Sequence, residues 1–447
     1  MHNITIGYLP VAKASWLDDK VRNAHRQSRD VVAKLSARIV TPDAIVITEE
    51  DAVHAIELFS RERVDAVIVQ FITFSLGSVL PMLVNDCDVP VILWSMPEPP
   101  FNGDRIQRNS FCAANMNAHT LWRMDKRYRH VHADMDDAFP MLDRECRTIG
   151  AARTIQHMKI GLVGYRVPGF YTSTFDELAL RRAFGVEIHH IDLYEITHMA
   201  DAIGKDKLAS AIAAVKAMGD SAAITPLETE KAARLFQAFR DAAVKYRLTS
   251  FAVKCWPEFG DLYGIGVCAV LGMLTSDGLD AACEGDVHGA IAMQLGALLS
   301  GKPSFYADFI SFDEKKNEGV FWHCGAAPSC HCAANVKAKL AKHSVMDGGN
   351  VKGVVSDFPM KQGMVTICQL AADKPSGYRM LIAQCEGLPT TQLIKGNPLA
   401  VRFKDVSSFA ASVIENGFGH HYVLMYGDIR SELRGWCLLN GVRLVEI

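Results

Sequence analysis

The sequence predicts an α/β fold with two successive parallel-sheet domains and a smaller, mainly antiparallel sheet or barrel at the C-terminal end. Apolar strands alternate with amphipathic helices through about the first 150 residues, and a second alternation of this kind starts at residue 159. After about residue 345, short strands separated by glycines dominate, which is typical of a small antiparallel sheet or barrel. We therefore assign three domains, residues 1–155, 156–344 and 345–447.

The first alternation contains four predicted strands, ITIGYLPV, AIVIT, DAVIVQF and VPVILWSM. The segment EEDAVHAIELFSRERV lies between two of them and has apolar residues near a helical period. Residues 66–84 are uncharged and long enough to raise the question of a membrane span. Because Gln70, Gly77 and Pro81 interrupt that stretch, we predict a strand, a loop and a buried helix instead. Residues 114–158 are predicted to be mostly helical.

The second alternation begins with the strand KIGLVGYRVPGF and ends with a strand, helix and strand that read LDAACEGD, VHGAIAMQLGALLSG and SFYADFISF. Between these lie the strands VEIHHIDLY and SFAVKCWPEF, with helices around FDELALRRAFG and across residues 200–247. The C-terminal strands are predicted at GVVSDFPM, GMVTICQL, GYRMLIAQCEG and LAVRF, followed by a helix at SSFAASVIENG and the segment FGHHYVLMYGD.

The composition is that of an ordinary soluble globular protein. The chain is 49% hydrophobic and 22% charged with a net charge of -3, which gives no support to a nucleic-acid or anionic-membrane partner. The N-terminus MHNITIGYLPV lacks the features of a signal peptide, so we expect no secretion. Twelve scattered cysteines then predict reduced thiols and a cytoplasmic location.

One local group of cysteines and histidines raises the question of structural zinc. It comprises His323, Cys324, Cys330, His331 and Cys332. Its C-x5-C-x-C spacing lacks the paired C-x2-C signature of zinc knuckles. We therefore do not favour a structural zinc site in this segment.

Two acids at the ends of predicted strands suggest a cation site. If LDAACEGD and SFYADF are parallel neighbours joined by the intervening helix, Glu284 and Asp308 lie at one sheet edge, where α/β proteins bind ligands. Neighbouring strands are about 4.8 Å apart, so both carboxylates can reach one ion. Oxygen ligands with one imidazole suit Mn²⁺ or Mg²⁺. We choose His421 as that imidazole, because His420 lies on the opposite face if the pair is in a strand.

A simpler interpretation of these residues stays open. Acids at strand ends often cap the following helix, and Asp286 is placed to be the N-cap of VHGAIAMQLG. Histidine pairs are common without any ligand role. The pattern by itself does not separate a cation site from helix capping.

The chain resembles the L-fucose isomerase and L-arabinose isomerase family of metal-dependent aldose–ketose isomerases, which includes sulfoquinovose isomerase-type members. The resemblance rests on CEGDVHGAIAMQLGALLSGKPSFYADF, FWHCG and GFGHHYVLMYGD, in that order, and extends over nearly the whole chain. It implies two Rossmann-like α/β domains followed by a C-terminal barrel-like domain. It also implies a homo-oligomer, a trimer or hexamer, whose active sites are completed by a neighbouring subunit.

The resemblance also implies roles for particular residues. Glu284 matches the family's first active-site glutamate, Asp308 its second metal carboxylate, and His421 its C-terminal ligand histidine. His323 occupies the place of a further ligand in the arabinose branch that the fucose branch lacks. It therefore stays open between a metal ligand, a substrate contact and a loop residue.

The implied chemistry is isomerisation of an aldose to its 2-ketose through a cis-enediol, with Mn²⁺, or Mg²⁺ or Co²⁺ in its place, and no organic cofactor. The cation stabilises the charge of the enediolate, while Glu284 and Asp308 shuttle the proton. The segment KCWPEFGD offers Lys254, Trp256 and Glu258 as substrate contacts. The alternative is that Lys254 pairs with a structural acid and Trp256 packs.

The substrate is a monosaccharide, and the residues do not choose among fucose, arabinose and sulfoquinovose. Two other functions stay open. The chain is a sugar epimerase using the same metal site, or a sugar-binding protein without catalytic activity, because paired Rossmann-like domains also form sugar-binding clefts. Product stereochemistry separates the epimerase, and a tightly bound divalent ion counts against the binding protein.

Overall fold

The computed structural model describes residues 4–75, 77–345 and 352–447. The chain divides into two compact units. One comprises Met1–Thr154 and Glu432–Gly441, and the other comprises Ile155–Ser431 and Val442–Ile447.

The first unit contains a five-stranded parallel sheet of order β2-β1-β3-β4-β5. Its strands are β1 Thr5–Val11, β2 Arg38–Val40, β3 Ala66–Phe71, β4 Val91–Ser95 and β5 Tyr128–His132. Its helices are α1 Asp19–Val32, α2 Glu49–Glu62, α3 Val79–Asp86, α4 Ser110–Arg123 and α5 Met135–Gln156, the last of which ends in the second unit. Apolar clusters cover both faces of the sheet, one around Trp94 and one around Phe59, as a parallel sheet requires.

Two details of this unit differ from the sequence prediction. The segment AIVIT forms no strand, because only Val46 bridges to β1 and Thr48 already closes a capping box with Asp51 at the start of α2. The edge strand lies earlier, at Arg38–Val40. β5 interrupts the segment predicted as mostly helical, and its alternation is weak because most of its side chains are polar.

The uncharged stretch 66–84 folds as predicted into a strand, a loop and a buried helix, β3 and α3, with Leu76 outside the described residues. Among the described residues, no helix combines the length and the apolar character needed to cross a membrane.

The second unit begins with a four-stranded parallel sheet of order β7-β6-β8-β9. Its strands are β6 Lys159–Val163, β7 Glu187–Ile191, β8 Ser250–Val253 and β9 Asp280–Cys283. Its helices are α6 Glu177–Phe184, α7 Leu193–Asp201, α8 Lys205–Ala217, α9 Pro226–Tyr246, α10 Cys268–Ser276 and α11 Val287–Ser300. Both parallel sheets are Rossmann-like, as predicted.

Six antiparallel strands then close into a barrel, in the order β14-β17-β10-β11-β16-β15 and back to β14. They are β10 Phe305–Asp313, β11 Glu318–Trp322, β14 Gly363–Ala372, β15 Tyr378–Gly387, β16 Leu399–Arg402 and β17 His421–Tyr426. β18 Arg443–Glu446 adds to β15 in parallel, and β12 Lys339–Ala341 pairs with β13 Val355–Asp357. Two further α-helices are α12 Val406–Glu415, in the second unit, and α13 Arg430–Asn440, most of which belongs to the first unit. The predicted C-terminal antiparallel barrel is confirmed.

The prediction that LDAACEGD and SFYADF are parallel neighbours is wrong. Among the strands of the described residues, β9 pairs only with β8, whereas β10 pairs antiparallel with β11 and β17 in the barrel. β11 follows β10 after a four-residue turn, and strands joined by so short a turn pair antiparallel. Asp308 therefore lies within a barrel strand and not at the carboxyl end of a parallel one.

Candidate functional site

A tight turn at the carboxyl end of β9 positions Glu284. Glu284 and Gly285 both have left-handed backbone angles, with φ of 59° and 69°. A Cβ atom on Gly285 would lie 2.0 Å from the carbonyl oxygen of Tyr165, so only glycine fits there. For glutamate this conformation costs on the order of 1 kcal/mol, and strain of this kind is concentrated at functional sites.

Strand register places Asp308 beside His421. The two residues are directly opposed in the β10–β17 pair. Their chain neighbours Ala307 and Tyr422 belong to the apolar interior of the barrel, so Asp308 and His421 point to its outer face. Contacts between α11 and β17 bring this face to the end of β9, where Glu284 lies.

The three predicted ligands converge around the Nε2 atom of His421. This nitrogen lies 3.1 Å from Glu284 Oε2 and 3.9 Å from Asp308 Oδ1. Asp308 Oδ1 is buried and has no hydrogen-bond partner among the described residues. A buried carboxylate oxygen without a partner is costly unless something else binds it.

These residues fit a hard divalent cation. Donor atoms on one cation with bonds of about 2.1 Å lie roughly 3 Å apart when adjacent and about 4 Å apart when opposite. The distances of 3.1 and 3.9 Å fall in that range. Two carboxylates with one imidazole also match the preference of Mn²⁺ or Mg²⁺ over thiolate-seeking ions. A cation at this position would supply the missing partner of Asp308 Oδ1.

Asp286 orients His421, a role that the sequence analysis did not identify. Its Oδ1 accepts the backbone N–H of Gly289, which confirms Asp286 as the N-cap of α11. Its Oδ2 lies 3.3 Å from Nδ1 of His421 and accepts the hydroxyl of Tyr306 at 2.7 Å. A carboxylate on Nδ1 fixes that ring nitrogen as a donor and directs the lone pair of Nε2 to a metal.

Burial and charge set the protonation of this group. Burial favours the neutral form of His421, but the hydrogen bonds to Asp286 and Glu284 outweigh it and raise the pKa of His421 to about 10. Burial would raise the pKa of Glu284, yet the hydrogen bonds from His420 and His421 hold it well below its ordinary value. Without a cation, the imidazolium therefore balances the carboxylates, and a cation that binds Nε2 must displace its proton.

Two expectations about histidines have different outcomes. The expectation that only one of the pair 420–421 approaches the acids is wrong, because His420 Nε2 also lies 3.3 Å from Glu284 Oε2. β17 begins at His421, so strand alternation does not apply to His420. His323 is 4% exposed and lines the cavity next to these residues. The ring centroids of His323 and Tyr306 are 6.3 Å apart. The role of His323 as a metal ligand or a substrate contact stays a prediction.

A cavity of about 270 Å³ opens onto Glu284, Asp308 and His421. Its volume is close to the lower end of small-molecule sites, about 300 Å³, which suits a single sugar ring. Aromatic and small apolar side chains form much of its wall, and it is lined by Phe170, Cys255, Trp256, Pro257, Cys283, Glu284, Asp308, Trp322, His323, Cys324, His343, Val345 and His421.

The three predicted substrate contacts separate in the structure. Trp256 lines the cavity, and its indole N–H donates to Glu284 Oε1 at 3.3 Å. Lys254 forms an ion pair with Glu258, and neither lines the cavity. The alternative pairing of Lys254 with a structural acid therefore describes the observed contact.

Several known proteins are similar to this chain over nearly its whole length. The family model described as the N-terminal domain of fucose/sulfoquinovose isomerases matches residues 7–158. The sulfoquinovose isomerase of Alkalicoccus urumqiensis is 28% identical over 99% of both chains. Those of Priestia megaterium and Clostridium sp. (strain MSTE9) are 28% and 26% identical over 97% of both chains.

A solved solute-binding protein of Actinobacillus succinogenes 130z, with bound D-allose, covers 67% of this chain and 92% of its own at 11% identity. Its TM-score of 0.18 is too low to support any argument. The family model over residues 7–158 and the near full-length relatives at 26–28% identity instead show a similarity to the fucose/sulfoquinovose isomerases.

Proposed function

We propose that this protein is a metal-dependent isomerase that interconverts an aldose and its 2-ketose through a cis-enediol. The observation that supports this most strongly is the convergence of Glu284, Asp308 and His421 on one sugar-sized cavity, in which a buried oxygen of Asp308 has no hydrogen-bond partner within the described part of the chain. Isomerisation needs a group that accepts a proton from carbon and another that handles the proton on oxygen. The two carboxylates of Glu284 and Asp308, which line one cavity, supply both of these groups.

Glu284, Asp308 and His421 would hold the cation, which would supply Lewis-acid stabilisation of the negative charge that develops on the substrate. Mn²⁺ is the proposed ion, with Mg²⁺ or Co²⁺ as substitutes, and no organic cofactor is needed. Asp286 keeps the proton of His421 on Nδ1, so that Nε2 faces the cavity. Glu284 is held ionised and can accept a proton from the carbon next to the carbonyl, while Asp308 serves as its acid–base partner.

The relatives named sulfoquinovose isomerase make a sulfonated aldose the first substrate to test, and fucose- or arabinose-type aldoses the second. Trp256 and Phe170 offer ring faces at the cavity wall, and their rings make an edge contact with centroids 5.7 Å apart. Aromatic walls suit the apolar face of a sugar ring in either case.

The test is an activity screen of metal-stripped protein with and without Mn²⁺ against sulfonated, deoxy and unmodified aldoses, with ketose detected by NMR. We expect ketose from one sugar only when Mn²⁺ is present. An epimeric aldose in place of ketose would favour the epimerase. Bound Mn²⁺ and bound sugar without any new product would favour the binding protein.

A pair of variants links the activity to the site. Glu284→Gln keeps the shape of the side chain and loses its basicity, so we expect no measurable turnover with an unchanged fold. Glu386→Gln, on the exposed face of β15, is the matched control and should leave turnover unchanged. Wild-type turnover by Glu284→Gln would remove Glu284 from the mechanism.

The proposed assembly is a homo-oligomer, a trimer or hexamer, with cytoplasmic location. Light scattering on the purified chain measures the order of the oligomer. An active monomer would contradict an active site completed by a neighbouring subunit.

A further inference from the structure

Two thiols and an imidazole meet in the second unit, and the proposed isomerisation assigns no role to any of the three. Cys268 Sγ lies 3.5 Å from Cys324 Sγ and 3.6 Å from Nε2 of His343. One ligand atom from each of the three residues lies within 4.8 Å of the others. Cys268 opens α10, Cys324 follows β11 and His343 follows β12, so the group joins three separate segments.

We propose that Cys268, Cys324 and His343 form a second metal site, which takes a soft divalent cation of the Zn²⁺ or Cd²⁺ class. In a tetrahedral zinc site with Zn–S of about 2.3 Å and Zn–N of about 2.0 Å, two sulfurs lie about 3.8 Å apart and sulfur and nitrogen about 3.5 Å apart. The observed 3.5 and 3.6 Å are within a few tenths of an ångström of those values.

The donor set separates this site from the carboxylate site. Sulfur and imidazole ligands select zinc-like ions, whereas carboxylates favour Mn²⁺ and Mg²⁺. The two sites lie close together, because Cys324 and His343 line the same cavity as Glu284, and Cys324 Sγ is 3.6 Å from Nδ1 of His323. Cys268 is 1% exposed and does not line the cavity.

The three protein ligands leave a fourth tetrahedral position. A site with three protein ligands and an open position binds water or an exogenous group there. Since two of the three ligands line the cavity, a cation bound to them would reduce the space for a sugar. We therefore expect such a cation to inhibit the isomerase. This inhibition rests on the proposed function, but the metal binding does not.

Binding must rearrange the protons of His343. The backbone N–H of Val345 donates to Nδ1 at 3.1 Å, so the neutral ring carries its proton on Nε2, directed at Cys268. A cation on Nε2 displaces that proton, and a neutral ring then holds its proton on Nδ1 and gives up the bond from Val345. The cation also takes the place of the thiol protons, so binding releases protons to solvent.

The cysteine group noted in the sequence does not form this site. Of its members, only Cys324 takes part. Cys330 is exposed, and Cys332 donates its thiol to the carbonyl oxygen of Val336 at 3.4 Å. Nε2 of His331 lies 2.7 Å from the carbonyl oxygen of Pro303. No local pattern in the sequence links Cys268 to this group, because Cys268 lies 56 residues before Cys324.

The test uses Co²⁺ and Cd²⁺ as probes on the metal-stripped, reduced full chain, without any sugar. Thiolate ligation gives a sulfur-to-metal charge-transfer band, which the carboxylate site cannot produce. We expect this band to saturate at one ion per chain in wild type and in Cys330→Ser, the control that removes an exposed thiol. It should be lost in Cys268→Ser and in Cys324→Ser.

Circular dichroism on each variant separates lost ligation from lost folding. A band that persists in folded Cys268→Ser and folded Cys324→Ser would overturn the proposal, as would the absence of a band in wild type. If Cys268→Ser fails to fold, the half-buried Cys324→Ser variant decides alone. We expect Zn²⁺ to inhibit the Mn²⁺-dependent activity of the wild type at least tenfold, and Cys324→Ser to resist this inhibition. That result would support a cavity shared by the two metal sites.

Discussion

Replacing Asp286 by asparagine should weaken Mn²⁺ binding, because His421 would then carry its proton on Nε2, the nitrogen that is proposed to bind the metal. At the N-cap of α11 the new side chain must keep an oxygen toward the N–H of Gly289, which leaves its NH₂ group facing Tyr306 and His421. An N–H donor opposite Nδ1 requires a lone pair on that nitrogen, so the ring proton moves to Nε2. Nε2 is the atom that faces Glu284 and Asp308.

The expected loss is 10- to 100-fold in Mn²⁺ affinity, the usual effect of removing an outer carboxylate from a metal-bound histidine. This range corresponds to about 1.4–2.7 kcal/mol. Loss of the charged hydrogen-bond acceptor at a site that is 7% exposed should also lower the free energy of unfolding by about 1–3 kcal/mol.

Calorimetric titration of metal-stripped protein with Mn²⁺ measures the affinity, and thermal denaturation measures the stability. Tyr306→Phe is the control, because it removes one hydrogen bond to Asp286 and keeps the contact between Asp286 and His421. It should change Mn²⁺ affinity much less than Asp286→Asn does. Wild-type affinity in Asp286→Asn would refute the proposed orientation of His421 by this carboxylate.

Three further changes test the fold around the site. Gly285→Ala should cut turnover and destabilise the chain by about 1–3 kcal/mol, because its Cβ would collide with Tyr165 and shift Glu284; steady-state kinetics and melting measure both. Burial raises the pKa of Asp280 from 3.8 to about 7, so its contribution to stability is complete below about pH 4 and is lost as pH rises toward 7. Asp280→Asn should remove this pH dependence of stability and raise the free energy of unfolding by up to about 4 kcal/mol relative to wild type at neutral pH. Urea unfolding of both proteins at pH 4 and 8 measures this, and an equal difference in the free energy of unfolding at the two pH values would contradict it. Phe321→Ala should cost about 3–5 kcal/mol in chemical denaturation, because this side chain is fully buried in the barrel; a loss below 1 kcal/mol would contradict it.

Local periodicity in the sequence was sufficient to predict the fold class and most elements. Alternating apolar segments specified the parallel sheets, because strands buried on both faces need continuous apolar runs such as those of β3 and β4. Exceptions occurred where the pattern is weak. The polar edge strand β5 and the three-residue strand β2 carry too few apolar residues to be recognised.

The candidate site was predicted in part. Resemblance to the family identified Glu284, Asp308 and His421, and the structure brings these three together. The two acids do not lie at the ends of neighbouring parallel strands, as predicted, since β10 belongs to the barrel. Strand pairing depends on contacts across the whole chain, and the spacing of 24 residues between the acids does not report it.

The sequence by itself determined the succession of two parallel sheets and an antiparallel barrel and offered Asp286 as the cap of α11, because each of these depends on nearby residues. The need for glycine at position 285 depends instead on the distant carbonyl oxygen of Tyr165. Only the tertiary structure decided which strand lies beside Asp308, which carboxylate orients His421 and which thiol meets Cys324. These contacts join segments between 56 and 135 residues apart. Their energies arise from burial and from the register of strands, which no local pattern encodes.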